Sequence, residues 1–350
     1  MQQDMNRQLN LTVLLCLSFL LYGCASKPIA PPNGAAYDVG MAQPAPILPP
    51  AVDARRVEIS GRAGRLSYYV AGEGPPLLLI HSINAAGSAY EVKPIFEHFA
   101  GVRRVYALDL PGFGFSDRSP RTYDMPLYVA AIRDMIDVVQ ADGGGPFDAL
   151  AISLSAEFLA RAATERPEAF RSLALVSPTG FDKGSADRRG PPGATREVPL
   201  LYGVVAFPLW SQGLFDLLVS RRSIRYFLGK TFGSDDIDEG LAEYDYATAH
   251  QPGARYAPLA FVSGRLFSAD IRTVYERLAI PVWAPHGNRG DFTDYSETGW
   301  AEARGNWELQ TYDTGALPHF EVPAAFLRDY ERFLDAAAQA SSSGSSSPMP

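Results

Sequence analysis

Short apolar runs alternate with stretches of helical spacing along most of the chain. Leu66 to Val70 reads as a half-buried strand. Leu77 to Ile80, just after Pro75-Pro76, is apolar on both faces, as a central strand of a covered sheet must be. Val105 to Leu108 and Leu173 to Val176 repeat that second kind, Phe147 to Ile152 is another strand of mostly apolar residues, and Ile280 to Ala284 and Glu308 to Tyr312 read as two more strands. Between these runs, Pro94 to Ala100 has a short helical pattern. Asp124 to Gln140 carries Leu127, Ala131, Met135 and Val138 at helical spacing and stops before Gly143, Gly144 and Gly145. Leu154 to Glu165 is Ala-rich and closed by Pro167. Such alternation predicts an α/β fold, a mostly parallel central sheet flanked by helices.

The rhythm breaks over residues 182–270. A Gly/Pro/Arg-rich loop leads into helical stretches rich in aromatics (Phe207, Trp210, Phe215, Tyr226, Phe227, Phe232, Tyr244, Tyr246), which read as a helical lid inserted between two strands. The core would then comprise residues 53–181 and 271–338. Residues 24–52 are rich in Pro, Ala and Gly and read as a solvated tether. Residues 339–350 read as a disordered Ser/Gly/Pro tail.

Composition narrows the class. Of 350 residues 47% are hydrophobic and 20% charged, which excludes disordered, collagen-like and multi-span membrane chains. With 39 acidic against 31 basic residues the net charge is −8, and no basic stripe suits nucleic acid. Two cysteines and five scattered histidines suggest neither a disulfide framework nor a metal site, and no cofactor is expected.

The uncharged run Leu11 to Tyr22 is about 12 residues long, too short to span a bilayer as a helix and fitting a signal-peptide core. It ends Leu21-Tyr22-Gly23-Cys24, which resembles a bacterial lipobox. That resemblance implies removal of residues 1–23, lipidation of Cys24 and a membrane-anchored protein of the cell envelope. Ser26, two positions after the cysteine, implies the outer membrane. An ordinary signal peptide is the alternative.

Strand, sharp turn and helix meet at Ala151-Ile152-Ser153-Leu154-Ser155. This resembles the nucleophile turn of the α/β-hydrolase superfamily, Gly-x-Ser-x-Gly, with Ala151 and Ser155 as small substitutes for the glycines. Pro167, 14 residues after Ser153, closes the helix as in that family. Taking Ser155 as nucleophile would put Glu157 where a small residue belongs. Leu79-Ile80-His81-Ser82-Ile83-Asn84 is similar to the family's strand and oxyanion loop, and Asp109-Leu110-Pro111-Gly112-Phe113-Gly114-Phe115-Ser116 to its Asp-x-Pro-Gly-x-Gly-x-Ser turn.

The resemblance implies Ser153 as nucleophile and the backbone N–H groups of Leu154 and Ile83 as oxyanion donors, each such donor being worth about 3 to 4 kcal/mol. A serine needs a base, usually a histidine oriented by a carboxylate. The family places that base in Gly-His-x-x-x-x-Glu-x-Pro. Here Gly315-Ala316-Leu317-Pro318-His319-Phe320-Glu321-Val322-Pro323 puts Ala316 at that position and His319 three residues later. Either His319 is the base on a reshaped loop, or the triad has lost its base. Asp291, 28 residues before His319, is the expected acid, with Asp294 and Asp182 as alternatives. His81 and His286 are lesser candidates for base, and no motif surrounds His98 or His250. The reading that follows is a lipid-anchored serine hydrolase of apolar carboxylic esters. Carbon–carbon or lactone hydrolysis and acyl transfer would use the same residues, and a non-catalytic envelope binding protein is the alternative from another class. Serine at the turn argues against dehalogenase or epoxide-hydrolase chemistry, where the family has Asp.

Overall fold

The computed structural model describes residues 45–184 and 188–344. Cys16, Cys24 and the leader therefore lie outside the described residues. The chain forms β1 (Arg55–Gly61), β2 (Gly64–Ala71), β3 (Pro76–Ile80), α1 (Lys93–Phe99), β4 (Arg104–Asp109), α2 (Met125–Gly143), β5 (Phe147–Ile152), α3 (Ser155–Glu165) and β6 (Phe170–Val176). Five helices follow: α4 (Pro199–Val205), α5 (Ser211–Leu218), α6 (Arg221–Phe232), α7 (Glu239–Ala249) and α8 (Tyr256–Val262). The sheet resumes through α9 (Ile271–Arg277), β7 (Val282–Gly287), α10 (Gly299–Glu302) and β8 (Trp307–Tyr312), and the chain ends in α11 (Pro318–Glu321) and α12 (Pro323–Gly344).

The eight strands of the described residues run in the order β1-β2-β4-β3-β5-β6-β7-β8. β2 is antiparallel to both neighbours, and every other pair is parallel. β5 is buried along its whole length, which explains its apolar run, and its one charge, Asp148, is paired with Arg103 and Arg171. Apolar side chains on the two sheet faces form separate cores. Tyr128 and Phe158, from α2 and α3, stack in one; Trp283 and Tyr330, from β7 and α12, stack in the other.

One strand was not predicted, and two expectations need correction. β1 gave no apolar run because it is an edge strand whose residues are exposed or half-buried. The end of the proposed tether packs on the body: Ala51 and Val52 are buried, and the carbonyls of Pro46 and Pro49 accept hydrogen bonds from Gln251 and Tyr244. The tail does not begin at residue 339, because α12 continues to Gly344.

Candidate active site

Parallel strands bring their C-terminal ends to one edge, and the chemistry gathers there. β5 ends at Ile152, and Ser153 follows with a φ of +54°, in the left-handed region that a side chain rarely adopts. Its N–H donates to the Val176 carbonyl at 2.8 Å, fixing the turn against β6. The small flanking residues are fully buried, and Ser155 Oγ donates to the His81 carbonyl at 2.6 Å. The serine thus fills the crowded position and ties the turn to the loop after β3.

Ser153 itself is half-buried. Its Oγ and the amides of Leu154 and Ile83 have no hydrogen-bond partner among the described residues. His81 cannot act as a base. Its Nδ1–H donates to the Ser82 carbonyl at 2.6 Å and its Nε2 accepts the Leu110 N–H at 3.0 Å, while burial pushes its pKa down to about 3. It braces the loop.

The same loop rests on Glu91, a buried carboxylate the sequence reading missed. Its oxygens accept from the Ser82 N–H at 2.7 Å, Ser82 Oγ at 3.0 Å and Asn84 Nδ2 at 2.7 Å. Burial raises its pKa against those hydrogen bonds. Asp245 of α7 is also buried, and its pKa is raised by burial and then by the nearby Glu91 charge. Neither residue lies in a motif, and only the packing of α7 over the loop brings them near each other.

The other half of the expected triad is not assembled. His319 is fully buried at the start of α11, and its Nε2–H donates to the Glu91 carbonyl at 2.8 Å. Its Nδ1 is buried without a partner, and burial pushes its pKa down to about 4. Asp291 has a side chain 56% exposed, with the Lys230 ammonium 3.3 Å away. No hydrogen bond joins Asp291 to His319, or His319 to Ser153, among the described residues. Asp294 accepts the Ser296 N–H at 3.1 Å, a local capping contact, and Asp182 pairs with Arg188 at 2.9 Å. His286 stacks on Tyr295 at 3.8 Å between ring centroids, and its Nε2 faces Thr311 Oγ1 at 3.3 Å.

The loops after β7 and β8 hold the lid instead. The Thr231 carbonyl accepts the Ala316 N–H at 2.7 Å, and the Lys230 carbonyl accepts the Asp291 N–H at 3.2 Å. Glycines make this contact possible. A Cβ on Gly287 would lie 1.9 Å from the Gly315 carbonyl oxygen, one on Gly315 2.2 Å from that of Thr231, and one on Gly290 2.5 Å from that of Lys230. Three backbone segments therefore meet directly where a family triad would place its acid and base. The Ala316 carbonyl accepts from Ser177 Oγ at 2.7 Å, completing the seam.

Strand order and nucleophile turn define an α/β-hydrolase fold. The family described as alpha/beta hydrolase fold matches residues 75–202, from β3 through the nucleophile turn into α4. An uncharacterized protein of Mycobacterium tuberculosis is 24% identical over 306 residues, covering 83% of this chain and 82% of its own length. The solved structure of the epoxide hydrolase CorEH is similar at a TM-score of 0.64 and 20% identity, covering 81% of this chain and 99% of that one. A thermophilic esterase from Thermogutta terrifontis is similar at 0.60 and 16% identity, over 81% and 99%. One fold thus carries different chemistries, and the reaction has to be argued from the site.

Proposed function

We propose that the chain is a serine hydrolase of carboxylic esters in which Ser153 takes the acyl group. The Leu154 and Ile83 amides would receive the oxyanion. The observation that carries this is the left-handed backbone of Ser153 beside two unpartnered amides. That strain costs on the order of 1 to 3 kcal/mol and is typical of a nucleophile held out for attack. Ser153 Oγ bonds the carbonyl carbon, the alcohol leaves with the proton, and water then hydrolyses the acyl-enzyme. With His319 and Asp291 held elsewhere, catalysis rests on the oxyanion donors and on binding. Triad-less serine proteases retain roughly 10³- to 10⁴-fold over water on that basis. Turnover is therefore slow. Lid aromatics favour an apolar acyl group, and a substrate panel would separate esters from lactones, carbon–carbon bonds and acyl transfer.

A second reading, a non-catalytic binding protein, is favoured by Ala316 and the lid seam. A fluorophosphonate probe decides between them. Labelling that is lost in Ser153→Ala and kept in His319→Gln supports the slow hydrolase. Folded protein that takes no label supports the binding protein. Labelling lost in His319→Gln would restore His319 as the base.

The lipobox reading places this body in the envelope, anchored through Cys24, with the outer membrane as its site. Incorporation of labelled palmitate that disappears in Cys24→Ser is the expected result; unchanged incorporation would refute it.

A further inference from the structure

Residues 198–218 carry one charge, Asp216, in 21 positions. They form α4, a turn and α5 of the lid, and only part of this apolar stretch turns inward. Val205 and Phe215 are buried, whereas Leu209, Leu200 and Leu217 are 83%, 80% and 60% exposed. Val204, Phe207 and Trp210 are also exposed, and the last two rings lie 4.6 Å apart with the indole N–H donating to the Val204 carbonyl. Scattered exposed leucines need no explanation, but a run of this kind on two adjacent helices marks a docking surface.

We infer that this lid face inserts shallowly into the surface of a lipid bilayer. Leucines with Trp and Phe on one face of short helices suit the boundary between headgroups and acyl chains. No described helix is long and apolar enough to cross a membrane, so the face lies on the bilayer and does not span it. The way the chain enters the body points to the same occupant. Gln251 Nε2 donates to the Pro46 carbonyl at 2.7 Å and the Tyr244 hydroxyl to that of Pro49 at 2.9 Å, so the start of the described chain lies against α7 and the turn after it. From Cys24 to Ala45 is 22 residues, at most about 75 Å of extended chain. Charge plays no part in the attraction. The chain has a net charge of −8, and Arg221 and Arg225, on the next helix, already pair with Glu243 and Glu239. The inference does not depend on the chemistry at Ser153.

Trp210 is the probe. The full chain is mixed with vesicles of phosphatidylethanolamine and phosphatidylglycerol carrying brominated acyl chains, with Trp210→Phe as the blank. The Trp210 emission should shift to the blue and be quenched, to the same extent in low and high salt. Combining Leu200→Asp, Leu209→Asp and Leu217→Asp should weaken quenching by about tenfold, since all three side chains leave water on insertion. These side chains are exposed, and an unchanged circular dichroism spectrum verifies the fold. Vesicle binding with Trp210 unquenched would mean that the N-terminal anchor alone holds the chain, and would overturn the inference. So would quenching that the triple variant leaves intact. A blue shift that grows with protein concentration without vesicles, together with dimer mass in light scattering, would assign the face to a second copy and overturn it too.

Discussion

The two halves of the expected active site have diverged. Around β5 and the loop after β3, the side chains hold the turn at Ser153: small residues flank it, Ser155 ties the turn to His81, and Glu91 holds the loop that carries Ile83. After β7 and β8 the same sheet edge serves packing. Glycines there admit the backbone of α6, and its carbonyls occupy the amides of Asp291 and Ala316. A catalytic loop must leave a side chain free to reach its partner; a docking loop must bring backbone into contact. Glycines at residues 287, 290 and 315 meet the second requirement.

The largest effect that would test this contrast is on stability. Gly287→Ala places a carbon 1.9 Å from the Gly315 carbonyl oxygen, so the seam must separate. We expect a loss of about 3 kcal/mol in urea unfolding, at the upper end for overpacking. A loss below about 0.5 kcal/mol, the usual surface value, would show that the seam is loose. Next is Ala316→His, which returns an imidazole to the family position without an acid to orient it. Fluorophosphonate labelling should quicken about 10²-fold, the lower end for a general base. An unchanged rate in folded protein would show that residue 316 does not face Ser153.

His319 gives a pH signature. Its pKa falls from the ordinary 6.5 to about 4 in the folded chain, so the unfolded state binds the proton more readily. Its contribution is complete above pH 6.5 and is lost as pH falls from there towards 4. His319→Gln removes this dependence. The stability gap between wild type and variant should narrow by about 2 kcal/mol between pH 7 and pH 5. A gap independent of pH would mean that the imidazole reaches water. The smallest effect is Ser153→Gly, which should stabilise the fold by about 1 kcal/mol by relieving the left-handed backbone. Destabilisation would show that the serine serves packing.

The sequence by itself determined the layered α/β architecture, because strands covered on both faces must be apolar throughout and β3 is. It singled out Ser153 as the candidate nucleophile, because such a turn needs small neighbours at set spacing, a local constraint. It could not show β1, whose pairing with β2 leaves its side chains half in water. Tertiary structure alone decided the fate of His319 and Asp291. Order and spacing along the chain suit a triad, yet one side chain is drawn into the core against the Glu91 carbonyl and the other faces solvent beside Lys230. That outcome depends on where α6 and the loop after β3 pack, segments roughly 60 to 230 residues away in the sequence. Relations at that range are set by packing, and spacing within a motif carries no record of them.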